Sequence, residues 1–174
     1  LEQHAEACTY SHEQGILFGT TIYDSQDCDD LETIDLDFIK VASADIVDHD
    51  ILNSIALRDW FIILSSGAST YEEVLEATLI FKNNLFCMMQ CTSNYPASHK
   101  GLNINVLDSY KSLCSIIGYS DHSSDSLASQ LALAKGACYF EKHLTLDKGL
   151  SGPDHIASLN PFEFSKYIDS ILNA

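Results

Sequence analysis

Positive charge is what this chain has least of. Nine lysines and arginines stand against 25 aspartates and glutamates, a formal net charge of −16 over 174 residues. Such a surface repels nucleic acid, and no basic stripe interrupts it, so nucleic acid is excluded as a partner. Long apolar runs are missing too. The longest, such as 60–64, fall far short of the roughly 20 residues a membrane-spanning helix needs, and no segment has the basic-then-apolar build of a signal peptide. The six cysteines (Cys8, Cys28, Cys87, Cys91, Cys114, Cys138) form no C-x-x-C pair and no zinc spacing. Most lie in apolar stretches, the pattern expected of reduced, buried thiols in a cytoplasmic protein with no membrane partner. No glycine-rich phosphate loop follows any predicted strand. The carboxylate-dense run 24–37 lacks the glycine and final glutamate of a calcium loop and reads as a solvated loop with a charged helix start.

What is present is an ordinary globular composition, 46% hydrophobic and 20% charged, in a chain long enough for one sizeable core. Strand-like runs begin near Ile16, Phe38, Phe61, Leu85, Ser115 and Cys138. Each is followed by a helical stretch, at intervals of roughly 22–30 residues, the spacing of repeated βα units. Ile62-Ile63-Leu64 and Phe86-Cys87-Met88-Met89 are apolar on both faces, as strands of a covered parallel sheet must be. Thr70-x-x-Glu73 predicts a capping box, Asn160-Pro161 predicts a capped helix start, and Gly136 fits a helix C-terminus. Residues 1–14 read as the tail of a preceding helix. A closed TIM (β/α)8 barrel needs eight units and about 250 residues. The economical expectation is therefore an α/β chain in which 1–174 supplies strands 3 to 8 of a TIM barrel, with the first two units absent. An open doubly wound sheet is the alternative.

Two histidines sit where predicted strands run out. His122 ends Gly118-Tyr119-Ser120-Asp121-His122, and His143 follows Phe140-Glu141-Lys142. Between them, 123–136 reads as a helix with apolar Leu127, Ala128, Leu131, Ala132 and Ala134. The β-α-β unit makes the two strands parallel neighbours, about 4.8 Å apart. With imidazole–metal bonds of about 2.1 Å, histidines at equivalent strand ends can share one ion. Open α/β and barrel folds bind ligands at the carboxyl ends of strands. The other strand ends carry Thr20, Thr21 and Tyr23; Lys40, Ser43 and Asp45; Ser65, Ser66 and Gly67; and Thr92, Ser93, Asn94 and Tyr95. One ammonium among hydroxyls and backbone amides makes a phosphate site, beside a metal site with positions open to substrate.

Taken in order, Phe38-Ile39-Lys40-Val41-Ala42-Ser43, Ile63-Leu64-Ser65-Ser66-Gly67, Cys91-Thr92-Ser93-Asn94-Tyr95-Pro96, Gly118-Tyr119-Ser120-Asp121-His122, Glu141-Lys142-His143-Leu144-Thr145-Leu146-Asp147 and Gly152-Pro153-Asp154-His155 resemble the sialic acid (nonulosonic acid) synthase family across essentially the whole chain. The resemblance implies a transferase that condenses phosphoenolpyruvate with an N-acylated hexosamine and water, and a homodimer in the full-length protein. It makes His122 and His143 the protein ligands of a divalent ion, manganese first, with magnesium or cobalt as alternatives. Lys40, Ser43, Thr21, Ser65 and Ser120 match positions that hold phosphoenolpyruvate. Ser93 and Tyr95 line the substrates with Glu141, and Asp154 and Tyr23 face the sugar. Asp45 stands where the family usually has glutamate, Ile22 where proline is usual, and Tyr23 where phenylalanine is common. The 152–155 motif is closer to the sialic and legionaminic branches than to the pseudaminic one. A smaller antifreeze-like domain usually follows the barrel in this family, and the 174 residues alone are expected to lack synthase activity.

Two other readings remain open. Lys40 is placed as a Schiff-base lysine of a metal-independent aldolase would be, and the chain could be a non-catalytic sugar- or metal-binding remnant. Strand alternation puts Lys142 on the opposite side from Glu141 and His143, which predicts that it supports the site from behind instead of touching substrate. His4, His12, His49 and His99 are expected to be solvated, and His155 to assist its neighbour Asp154.

Overall fold

The computed structural model describes all 174 residues, and they fall into two compact units, Leu1–Cys87 and Met88–Ala174. Six strands, β1 (Gly19–Ile22), β2 (Phe38–Val41), β3 (Phe61–Ser65), β4 (Phe86–Cys91), β5 (Ile116–Asp121) and β6 (Tyr139–Lys142), form one sheet whose order follows the chain. Strands β1 and β2, β2 and β3, and β5 and β6 pair in parallel. The helices are α1 (Glu2–Glu13), α2 (Asp27–Leu31), α3 (His49–Ala56), α4 (Tyr71–Ile80), α5 (Val106–Tyr110), α6 (Leu127–Ala134) and α7 (Pro161–Leu172). This is an α/β fold of repeated βα units with a parallel sheet. No helix is long and apolar enough to cross a membrane.

In the first unit the in-register residues Ile39 and Ile62, then Val41 and Leu64, are all fully buried, and Leu52 and Ile55 of α3 and Val74 and Ala77 of α4 join this core. The first strand begins at Gly19 rather than near Ile16. Ile16 and Leu17 are exposed, and Gly19 pairs with Phe38, whose ring leaves no space for a side chain there: a Cβ would lie 2.3 Å from it. Both predicted capping boxes form, Thr70 with Glu73 on α4 and Asn160 with Glu163 on α7. Each cap of this kind stabilises a helix by about 1 kcal/mol.

Every residue of β4 is buried, as a strand covered on both faces must be. In the second unit the helix after β5, α6, starts at Leu127, not at residue 123. Residues 123–126 are held in a turn by Asp121 and Asp125, whose carboxylates accept from the amides of Ser123 and Leu127. The helix consequently buries Ala128 and Ala132 while Leu127 and Leu131 remain nearly half exposed. It ends as expected at Gly136, which takes φ +92°. All six cysteines are free thiols. Cys8, Cys28, Cys87 and Cys91 are buried, but Cys138 is exposed because it precedes β6 rather than lying within its covered part.

Candidate functional site

The register of β5 and β6 decides the chemistry of the second unit. Ser120 is paired with Glu141 and Asp121 with Lys142. Side chains alternate across a strand, so Ser120 and Glu141 share one face, and His122 and His143, one residue past each strand end, continue it. The two imidazole centroids lie 5.5 Å apart. Tyr95, from the loop after β4, stacks on His122 with centroids 4.1 Å apart and meets His143 edge-on at 5.3 Å.

His122 is buried, and its protons can be assigned from its partners. Nδ1 lies 2.8 Å from the Thr92 carbonyl oxygen, which only accepts. Nδ1 therefore carries the hydrogen, and Nε2 keeps a lone pair toward which Ser120 Oγ donates at 3.2 Å. Burial holds this imidazole below the usual histidine range; the Thr92 carbonyl pulls the other way, and His143 adds to the lowering. A neutral imidazole with a committed tautomer is the form that ligates a metal ion. The backbones are pinned as well: the His122 carbonyl accepts from the amide of Ala97 and the His143 carbonyl from the amide of Leu159. No group of three or more histidine, cysteine or carboxylate side chains is arranged to hold a metal ion. Two imidazoles alone cannot close a structural zinc site. They do suit a divalent ion that takes its remaining ligands from water or substrate oxygen.

Behind this face the strand ends are wired together. Lys142 Nζ and Asp121 Oδ1 are 3.2 Å apart, with 2% and 0% of the side chains exposed. Burial draws the Lys142 ammonium below the ordinary lysine range, and the Asp121 carboxylate draws it back up. Lys142, expected to face away from Glu141 and His143, does so. Asp121, its partners Ser123 and Ser129, and Tyr167, which bonds Ser129, were not singled out by the sequence. The available signal was the pair of dipeptides Asp121-His122 and Lys142-His143 in parallel strands, where opposite charges become cross-strand neighbours.

The first unit gathers a different set. Thr21 pairs with Lys40, and Lys40 with Ile63. The alternation therefore puts Thr21, Lys40 and, two residues beyond Ile63, Ser65 on one face. Ser65 is 1% exposed, and its buried Oγ has no hydrogen-bond partner. Ser43 opens a 3-10 turn, Ser43–Asp45, and its Oγ accepts from the Gly67 amide at 2.9 Å. Burial raises the Asp45 carboxyl above the usual range, Asp48 reinforces this, and the Lys40 ammonium opposes it. Thr21 and the exposed Tyr23 line a cleft of about 570 Å³ with His4, Asp27 and Asp30.

Two expected site residues, Ser93 and Asp154, stay on exposed loops. Asp154 caps a turn through its carbonyl, which accepts from Ser158 Oγ at 2.7 Å. Its neighbour His155 is turned toward Thr145, with Nδ1 2.7 Å from Oγ1. His12, expected to be solvated, instead bonds Asp37 at 2.7 Å, because α1 lays it against the segment entering β2. His99 is exposed, as expected, and meets Asp125 at 3.1 Å.

The family model described as NeuB matches residues 1–174. The chain is 33% identical to the N,N'-diacetyllegionaminic acid synthase of Legionella pneumophila, covering 99% of this chain and 51% of that protein. It is 34% identical to the human N-acetylneuraminate-9-phosphate synthase, covering 98% of this chain and 48% of that one. Among solved structures, the N-acetylneuraminic acid (sialic acid) synthetase of Leptospira borgpetersenii serovar Hardjo-bovis superposes with a TM-score of 0.93 at 32% identity, over 99% of this chain and 61% of that chain. The chain thus spans about half the length of these curated relatives.

Proposed function

We propose, from the premise that this chain belongs to the NeuB family, that the whole protein condenses phosphoenolpyruvate with an N-acylated hexosamine. Water is the third reactant, and a nonulosonic acid and inorganic phosphate are the products. The six βα units belong, on this reading, to an eight-unit barrel as strands 3 to 8. The single observation that carries it is the pair His122 and His143 on one face at neighbouring strand ends, 5.5 Å apart, with the His122 tautomer set by the Thr92 carbonyl.

A divalent ion, manganese in the first place, would be held by these two imidazoles and would supply electrophilic activation of the sugar carbonyl. The remaining work falls to the chain's own groups. Lys40 supplies the charge-assisted contact to the phosphate or carboxylate of phosphoenolpyruvate, with Thr21, Ser43, Ser65 and Ser120 as hydroxyl partners. The partnerless hydroxyl of Ser65 supports that role, since a buried donor without a bond gains most from an arriving oxygen. Tyr95, Ser93 and Glu141 line the reactants, and Tyr23 and Asp154 face the sugar. Asp45, whose carboxyl burial raises above the usual range, is the acidic group we place beside Lys40. Carbon 3 of phosphoenolpyruvate forms the new bond to the sugar aldehyde carbon. Water adds at carbon 2, and the tetrahedral intermediate expels phosphate by C–O cleavage; holding the reactants in line is the chief contribution of the rim residues.

The test is phosphate release by the whole protein from phosphoenolpyruvate with Mn2+ and either N-acetylmannosamine or a diacetamido hexose. Release that depends on acceptor and metal is the expected result. Mn2+-independent condensation of pyruvate with the sugar, without phosphate release and with a borohydride-trapped adduct on Lys40, would overturn the proposal in favour of a Schiff-base aldolase.

A further inference from the structure

β5 ends at Asp121 and β6 at Lys142, so the two histidines lie one residue beyond the last rungs of the ladder. Strand pairing alone therefore does not set the distance between the two rings. A cross-brace on the opposite face does. Asp121 Oδ1 accepts from the Ser123 amide at 2.8 Å and from Ser123 Oγ at 2.6 Å, and lies 3.2 Å from Lys142 Nζ. Lys142 Nζ also donates to the Ser123 carbonyl at 2.5 Å and reaches the Asp125 carbonyl at 3.4 Å. The residues on both sides of His122 are thus gripped by the residue next to His143.

The brace is anchored outside the strands. Ser129 Oγ of α6 donates to Asp121 Oδ2 at 2.6 Å, so its oxygen must accept from the Tyr167 hydroxyl of α7, 2.5 Å away. The Tyr167 ring also lies 5.3 Å from Lys142 Nζ. All three ammonium hydrogens and both carboxylate oxygens find partners. A buried ion pair is a poor stabiliser compared with apolar residues of like volume, because desolvating two charges offsets their attraction. What it supplies here is a set of directional constraints on the backbone at 121–123 and 142.

We propose that the buried Asp121–Lys142 pair, tied to Ser129 and Tyr167, is a positioning device that holds His122 and His143 at ligand spacing. Asp121 and Lys142 are positioning residues, not ligands. The inference rests on the reading of the two histidines as a metal pair, and its test must separate the two ideas.

Asp121→Asn, Lys142→Met and the double variant are compared with wild type in three measurements on the full chain. These are urea unfolding, Mn2+ affinity by titration with the metal alone, and hydrogen exchange of the metal-free amides at 121–123 and 142–144. The double variant is expected to recover most of the stability lost in the single ones, since neither charge is left unpaired. Its Mn2+ affinity should nevertheless stay about ten- to hundredfold weaker, the usual cost of losing an outer-shell constraint, and its strand-end amides should exchange faster. A double variant with wild-type affinity and wild-type exchange would overturn the proposal. If wild type and His122→Ala bind Mn2+ equally poorly, the metal reading fails, and exchange at the strand ends still decides whether the brace exists. Should the double variant not fold, Ser129→Ala deletes only one anchor: faster exchange at 121–123 upholds the brace, and unchanged exchange refutes it.

Discussion

Two side-chain contacts to a carboxylate, one in each unit, show how burial changes what such a bond does. His12 and Asp37 meet at 2.7 Å with a third and a quarter of their side chains exposed. Asp121 and Lys142 meet at 3.2 Å with almost nothing exposed. The first pair fastens α1 beside the entry to β2, where Asp37 Oδ2 also accepts from the Phe18 amide. Water can take over from either partner, so the bond is worth little, and mainly adjusts how stability responds to pH. In the second, water has no access, each charge depends on the other, and loss of one partner strands its mate. A partly exposed pair fastens; a buried pair specifies position.

The largest effect that would sharpen this contrast is expected from Lys142→Met or Asp121→Asn alone. Each should cost about 3–5 kcal/mol in denaturant unfolding, and a loss no larger than that of the His12 pair would erase the distinction. Next comes His122→Ala or His143→Ala in the whole protein. Removing a ligand should exceed the roughly hundredfold affinity cost of removing an outer-shell partner, read by Mn2+ titration, with phosphate release falling in step. Lys40→Ala should follow. It removes a charge-assisted contact of about 1.5–3 kcal/mol, so phosphoenolpyruvate affinity and turnover should fall by one to two orders of magnitude in steady-state kinetics; unchanged kinetics would remove Lys40 from the site.

The smallest effect belongs to Asp37→Asn, at about 1 kcal/mol or less. The Phe18 amide first, and His12 second, hold the Asp37 carboxyl below its ordinary range. A carboxylate with a lowered folded-state pKa stabilises the fold above its unfolded value, near 3.9, and loses that contribution as pH falls through the folded value. Urea titrations at neutral pH and near pH 3 should therefore show less acid weakening in the variant than in wild type. Equal acid weakening would show that the pair carries no such linkage.

Much of the framework was legible because local rules sufficed. The apolar runs at β3 and β4, the cap Thr70 with Glu73, the cap Asn160 with Glu163, and Gly136 after α6 all rest on interactions among residues within a few positions. Where the reading slipped, a distant partner had intervened. The Phe38 ring dictates Gly19, and hence where β1 begins; the buried Asp121 claims Ser123 and delays α6; and α1 carries His12 to Asp37, 25 residues on.

The sequence by itself determined the order of βα units and the alternation that sets Ser120, His122, Glu141 and His143 apart from Asp121 and Lys142, because periodicity is a property of the backbone that any strand inherits. Only the tertiary structure decided the register of β5 against β6, and with it which residues face each other across the strands. It also decided the Thr92 carbonyl that fixes the His122 tautomer, and the anchoring of Asp121 through Ser129 to Tyr167. These bonds join residues 8 to 38 positions apart, and their geometry exists only once the strands and helices have packed.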